Sequence, residues 1–346
     1  MKKLLSTIAL LAVCLGVAQA GPSALNRVMP VLQKNNRTAA ENQKVLQLFR
    51  TSKNPEIVFA AGASLVKTPP AKVQQPALFS ILMRSTDALR QTFAAVIITA
   101  MGEVHEELTP VLQEALTGKD PVLRAYAAAA YAIIHPQDTS HTQDIVRLYI
   151  FDPAFASRAM NVLNGSEKTP FKALKQASAS TDEQIRAAAA TWLGTLHTPN
   201  SAKQLLKMAK KETSSSVQAA IATGLASQRE NTLAEVTAGL RKKHTTPYAN
   251  TCALALGFMT GNAIDALRQN LLSTNTQAHI NAARAAAYMA NVLSNPDAFA
   301  YSSDRAFDIH LLKSLIAPLK ALANSGTPDE QTYAQNALRQ IEKLME

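Results

Sequence analysis

Between Ile57 and Ile280 one short phrase comes back at an almost fixed interval, and this beat limits the fold more than any other feature of the chain. Ile185-Arg186-Ala187-Ala188-Ala189-Ala190-Thr191-Trp192-Leu193-Gly194 is answered by Val217–Leu225, Tyr248–Gly257 and Ile280–Ala286. Upstream the phrase opens at Phe155, Leu123, Leu89 and Ile57, so that successive anchors lie 32, 34, 32, 30, 32, 31 and 32 residues apart. A period of this length marks stacked supersecondary units, each unable to bury its apolar face alone.

Each unit has the same internal grammar. A capping residue precedes proline at Asn54-Pro55, Asp120-Pro121, Asp152-Pro153, Thr246-Pro247 and Thr327-Pro328. The cap accepts the first free N–H groups, and the proline ring takes a helical position that needs no donor. Thr181 to Gln184 has the spacing of a capping box instead. An Ala-rich helix of about 14 residues follows, then a polar turn and a second, amphipathic helix. The second helices are expected at Leu108–Leu116, Gln143–Ile150, Phe171–Ala177, Ser201–Lys211, Leu233–Leu240 and Ala263–Leu272. The chain has 61 alanines, and only 5% of its residues are aromatic. Alanine favours helix over strand, so an all-β fold is excluded and the core must form from small side chains at close helix–helix range. The expected fold is all-α: a right-handed α-solenoid of about eight to nine antiparallel helix hairpins. Residues 21–50 keep the apolar spacing without the phrase and are expected as N-terminal capping helices, with the solenoid over 51–346.

The phrase x-Val/Ile/Leu-Arg-x-x-Ala-Ala-x-x-Leu-Gly, clearest at residues 185–194 and 123–132, resembles the short bacterial HEAT repeat. The resemblance covers roughly residues 50–346. Its arginine is kept at Arg90, Arg124 and Arg186 but replaced by Gln218, Ala249 and Asn281, and its glycine is kept at Gly194 and Gly257. The resemblance implies a solenoid that serves as a binding scaffold. A subset of such proteins resembles intracellular chromophore lyases of light-harvesting antennae, whereas this chain carries an export signal.

That signal is the N-terminus. Lys2 and Lys3, an apolar run from Leu4 to Val17 and the small-x-small triplet Ala18-Gln19-Ala20 have the order of a secretory signal peptide over residues 1–20, cut before Gly21. The apolar run is too short to span a bilayer, and no later segment is long enough, so the mature chain is expected to have no transmembrane segment. Leu11-Ala12-Val13-Cys14 is a poor lipobox, with a bulky Val13 before the cysteine. Cleavage leaves Cys252 as the remaining cysteine, expected as a buried small hydrophobe instead of a reactive thiol. It also lowers the net charge from +10 to +8. The destination is periplasmic or extracellular.

Little in the sequence asks for catalysis. Gly102–Glu107 contains a His-Glu pair, but the position four residues after His105 is Thr109, so a zinc-protease helix lacks its second imidazole. His135, Asp138, His141 and Asp144 fall within ten residues, where helix capping explains the acids as well as an adventitious metal does. No Gly-x-Ser-x-Gly elbow, phosphate loop or dinucleotide fingerprint occurs. No cofactor and no metal are expected.

Charge says more. Residues 201–250 carry a net +5. Lys203, Lys207 and Lys210 share one helical face, Lys211 follows, and Arg241, Lys242 and Lys243 end the corresponding helix one repeat later. Stacking would set both clusters along one edge. Cations at helix C-termini suit the dipole and keep a rod soluble. They equally form a ridge for an acidic partner, a protein first and an anionic envelope surface second. Export and the lack of stacking aromatics beside these residues argue against nucleic acid. A second candidate is an insertion at about 294–308, between helices expected at Ile280–Leu293 and Ile309–Ala323. It carries Phe299, Tyr301, Arg305 and Phe307, either as a contact loop or as a plug for the end of the core. The expectation is an exported, monomeric protein-binding scaffold without catalysis. An enzyme or lyase-type factor with a site assembled across repeats, and a purely structural envelope spacer, are the alternatives.

Overall fold

A computed structural model of the chain describes residues 22–34, 36–163, 168–295 and 304–345. The expected signal peptide and the candidate loop residues Phe299 and Tyr301 lie outside the described residues. Every regular element among the described residues is a helix, and none is long and apolar enough to cross a membrane. The chain divides into two compact units, one up to Ala173 and one from Leu174 onward.

The first unit contains α1 (Pro22–Leu32), α2 (Ala39–Thr51), α3 (Pro55–Lys67), α4 (Gln75–Arg84), α5 (Ala88–Ala100), α6 (Thr109–Thr117), α7 (Pro121–Ile134), α8 (Thr142–Leu148) and α9 (Pro153–Val162). The chain enters the second unit within α10 (Lys168–Ala177). It continues as α11 (Glu183–Thr195), α12 (Pro199–Ala209), α13 (Ser215–Ser227), α14 (Arg229–Gly239), α15 (Pro247–Phe258), α16 (Ile264–Leu271), α17 (Thr276–Ser294), α18 (Arg305–Lys313), α19 (Ile316–Ser325) and α20 (Pro328–Met345). All eight anchors fall in helices, and the anchor helices pack in series: α3 on α5, α5 on α7 and α7 on α9 in the first unit. In the second, α11 packs on α13, α13 on α15, α15 on α17, and α17 on the closing helix α20. Second helices lie against them, α6 and α8 on α7, α12 on α13, α14 on α15 and α16 on α17.

Having neighbours on several sides makes the anchor helices apolar nearly all round. In α7 every residue from Ala125 to Ile134 is buried. The first unit fills its core with rings: Phe59 meets Phe93 edge-on at 5.1 Å, and Phe93 meets Tyr126 at 5.3 Å. The second unit closes the distance instead. A Cβ placed on Gly194 would stand 2.6 Å from Gly224 Cα, so α11 and α13 meet backbone to backbone. A Cβ on Gly257 would stand 2.6 Å from Tyr288 Cβ of α17. The two glycines of the repeat phrase thus serve helix contact.

The position after the anchor ties the turns together. Arg90 Nε donates to the Phe49 carbonyl at 2.9 Å and Arg124 Nη1 to that of Gly118 at 3.4 Å. Arg186 Nη1 reaches the carbonyls of Ser180 and Thr181 at 2.9 and 3.0 Å. Gln218 Nε2 donates to the Glu212 carbonyl at 2.9 Å, and Asn281 Nδ2 to those of Leu240 and Lys242 at 2.8 and 3.0 Å. An amide therefore replaces the guanidinium at Gln218 and Asn281, while Ala249 has no side chain for the role.

The proline caps are in place: Asn54, Asp120, Asp152 and Thr246 each accept a hydrogen bond from the first turn of their helix. Three details differ from the sequence reading. The cap of α11 is Asp182, whose Oδ1 accepts from Gln184 N at 2.8 Å and Ile185 N at 3.4 Å, so there is no capping box from Thr181. The helix expected at Ile309–Ala323 is two, α18 and α19, because Pro318 has no N–H to give Ser314 and its ring crowds that carbonyl. Helix α4 is additional, and the cap pattern does not announce it.

Cys252 is wholly buried against Gly239, and burial above all pushes its thiol up to about 12. Only the thiolate is nucleophilic, so a thiol reagent is expected to spare Cys252 in the native chain and label it on unfolding. Labelling at native pH 8 would show that α15 opens. Replacing Gly194 by Val is expected to cost about 1–3 kcal/mol, read as a lower Tm. An unchanged Tm would mean that α11 and α13 do not touch there.

Candidate functional site

The cationic candidates occupy the turn side of the second unit. Helix α12 starts on Thr198, which accepts from Ser201 N at 3.2 Å, and buries Ala202, Leu205, Met208 and Ala209. That register leaves Lys203, Lys207 and Lys210 outward, and all three are exposed, as are Lys211, Arg241, Lys242 and Lys243. None of the seven is in an ion pair among the described residues. Lys210 Nζ lies 5.8 Å from the ring centre of Tyr248, in the first turn of α15, and so reaches the segment that begins with Arg241. Tyr248 means that these cations do have an aromatic ring beside them, which the sequence reading did not count. The ring became visible only once α12 was placed against α15.

Two of these lysines border a cleft of about 500 Å³ lined by Lys175, Ser178, Arg186, Gln204, Lys207, Lys211 and Glu212, among others. At its base Arg186 Nε and Nη2 bind the two Glu212 oxygens at 2.8 and 3.1 Å. Glu212 Oε1 also accepts from the backbone N–H of Thr213 and Ser214 at 3.1 and 2.9 Å, at the start of α13. Burial works against its charge, but Arg186 and these N–H groups hold the Glu212 carboxyl below its ordinary range, while the same bond raises Arg186. The Glu212 charge is thereby committed, and Lys175, Lys207 and Lys211 keep no counterion among the described residues.

Gln218, tied to Glu212, links this cleft to a second of about 380 Å³, lined by Gln218, His244, Thr245, Thr246, Pro247, Asn250, Arg284 and Tyr333. His244 follows Lys243 directly, so the ridge borders this cleft. The His244 N–H donates to Gln277 Oε1 at 2.7 Å, and its ring meets Tyr333 edge-on at 5.8 Å. Arg284 Nη1 donates to the His244 carbonyl at 2.8 Å and to Asn281 Oδ1 at 3.3 Å; Nη2 donates to Asn250 Oδ1. Its guanidinium carbon lies 5.7 Å from the Tyr333 ring centre. Sequence reasoning did not single out Lys175, Arg284 or Tyr333. Asn281 and Arg284, one turn apart in an Ala-rich helix, were the available signal for the arginine.

The other candidates have separate positions. Arg305 Nε donates to the Leu293 carbonyl at 2.6 Å, closing the end of α17. Phe307 is 55% exposed in the first turn of α18, where its N–H bonds Asp304, so it does not plug the core. His135 Nε2 meets Thr109 Oγ1 at 2.8 Å, Asp138 caps Ser140, and Asp144 pairs with Arg124 at 3.1 Å. Among the described residues no three His, Cys, Asp or Glu side chains converge as metal ligands.

No protein-family model matches the chain, and no curated protein matches it.

The depressed Glu212 carboxyl stabilises the fold in full above the ordinary glutamate value of 4.5 and loses that contribution as the pH falls below it. Glu212→Gln is expected to lower Tm at pH 7 by an amount equivalent to about 1–3 kcal/mol and to flatten the Tm loss between pH 6 and 3. An acid limb identical to that of the parent would place the responsible carboxylate elsewhere.

Proposed function

We propose that the chain is an exported, monomeric binding scaffold that holds an acidic partner protein against the basic turn face of its second unit, without catalysis or cofactor. In this reading each unit is a stretch of right-handed, HEAT-like α-solenoid. The serial packing of like helices at a 32-residue beat supports that architecture, and the secretory pattern of residues 1–20 supports export.

One observation carries the binding reading: seven exposed cations, on α12 and on the turns after α12 and α14, have no counterion among the described residues, and two of them, Lys207 and Lys211, line a polar cleft. Cations spread along helix ends for solubility alone have no need of a shared face. Such a face raises the local concentration of an acidic partner and aligns it, through many contacts of modest strength.

The test is capture of envelope proteins by the purified chain and by a variant with Lys210, Lys211, Lys242 and Lys243 all changed to Glu. These side chains are solvated, so the variant is expected to keep its Tm within a few degrees, since exposed pairs are worth only about 0–1 kcal/mol each. It is expected to lose a protein that the parent retains at low and moderate salt. Equal capture by both chains would remove the basic face from the function. Retention of anionic lipid alone, lost as salt rises, would replace the protein partner by a surface.

A further inference from the structure

Three arginines that directly follow an anchor residue each have a carboxylate, whereas the exposed Arg158 of α9 holds the Ala100 carbonyl at 2.9 Å. Arg90 meets Asp87, Arg124 meets Asp144 and Arg186 meets Glu212. Arg284 lies one turn beyond the equivalent position of α17, which is Asn281; it is half-buried and has neutral oxygens only: the His244 carbonyl, Asn281 Oδ1 and Asn250 Oδ1. Asp329 stands 4.0 Å from His244 Nε2, not on the guanidinium, and is mostly exposed. A partly desolvated cation without a counterion is costly unless something else supplies the charge.

The surroundings say what would supply it. Arg284 keeps its Nε–H and one Nη2–H without a partner among the described residues, and it opens onto the 380 Å³ cleft. Two donors on one planar guanidinium match the two oxygens of a carboxylate. Three neutral acceptors and the Tyr333 ring fix its orientation before a ligand arrives, which lowers the entropic cost of binding. Asn250 Nδ2 spends one N–H on Gln218 Oε1 at 2.8 Å, which leaves its second N–H and the exposed Thr245 hydroxyl to pair with peptide groups, while Pro247 and Tyr333 provide apolar walls. The volume admits one acidic side chain with its flanking peptide.

We infer that the Arg284 cleft is a carboxylate-binding site that takes one Asp or Glu side chain, or a C-terminal carboxylate, of an acidic peptide segment whose neighbouring acids lie on the Lys210–Lys243 ridge. The inference deepens the partner-binding reading and rests on it. The cleft gives position and the ridge gives attraction.

The experiment measures binding of fluorescein-labelled hexaglutamate by anisotropy at 50 and 300 mM NaCl, with glutarate or inorganic phosphate as competitor. Four chains are compared: parent, Arg284→Gln, Asn250→Asp and the four-lysine charge reversal. Asn250→Asp gives Arg284 an internal counterion but loses the bond from Asn250 Nδ2 to Gln218 Oε1 at 2.8 Å, so it is expected to stay folded with a Tm within a few degrees of the parent while weakening binding at least tenfold. This keeps the test open if Arg284→Gln loses its fold. The Arg284 effect is expected to persist at 300 mM NaCl, where the effect of the exposed lysines fades. Glutarate is expected to displace the peptide at lower concentration than phosphate. Unchanged affinity in Asn250→Asp and Arg284→Gln, with loss in the lysine variant, overturns the cleft and leaves the ridge. The reverse pattern overturns the ridge and leaves the cleft. Stronger competition by phosphate overturns the carboxylate assignment, and no binding by the parent overturns both readings.

Discussion

Where Gly194 faces Gly224, two helices touch with no side chain between them, and much of the second unit follows from that closeness. Helices this near can be joined only by small residues, which is why alanine fills Ala187–Ala190 in α11 and Ala282–Ala287 on either side of Arg284 in α17. Dispersion over many short contacts then takes the place of large buried side chains. Tight approach also leaves little room for polar groups inside the stack. Two of those that remain tie neighbouring helices: Gln228 Nε2 donates to the Leu193 carbonyl at 2.8 Å, and Ser227 Oγ to that of Gly194 at 2.9 Å. The first unit solves the same problem with rings, Phe93 lying between Phe59 and Tyr126 and pressing on Gly62.

Charge is costly inside such a stack, and the buried carboxylates Asp152, Glu212, Asp308 and Glu330 all lie at turns or helix starts. A turn exposes several unpaired carbonyls, and after five of the eight anchors the next residue, Arg90, Arg124, Arg186, Gln218 or Asn281, answers them with a guanidinium or an amide. The arrangement fixes a turn and at the same time places a cation beside a cleft. Whether that cation is free for a ligand then depends on one neighbour. Glu212 silences Arg186 as a binding group, and Asp87 and Asp144 do the same for Arg90 and Arg124. At Arg284 that neighbour is the amide Asn250.

The beat, the proline caps and the second helices were legible because each rests on local chemistry within about ten residues. Asp120-Pro121 states its own helix start, and Leu205, Met208 and Ala209 state which face of α12 is buried. What the sequence left open depends on competition or distance. Thr181 and Asp182 both have a capping side chain, and a carboxylate one residue nearer the helix takes the N–H groups of Gln184 and Ile185. The break between α18 and α19 follows from Pro318 alone and was available to a stricter reading of its missing N–H. The 380 Å³ cleft was not available at all, since Gln218, His244, Arg284 and Tyr333 come from four elements spread over more than a hundred residues.

The same geometry argues for the kind of recognition to expect. A stack whose helices meet at contact distance puts its buried charges, Glu212, Asp308 and Glu330 among the described residues of the second unit, at turns and helix starts. The clefts it offers are open and walled by amides, hydroxyls and cations. Exposed lysines on flexible stems give long-range attraction and little orientation, whereas a guanidinium held by three oxygens and a ring gives orientation with one charge. A partner that satisfies both must be long enough to cover the ridge and have an acidic group narrow enough to enter the cleft. An extended acidic peptide meets those two conditions, whereas a small ion meets the second alone.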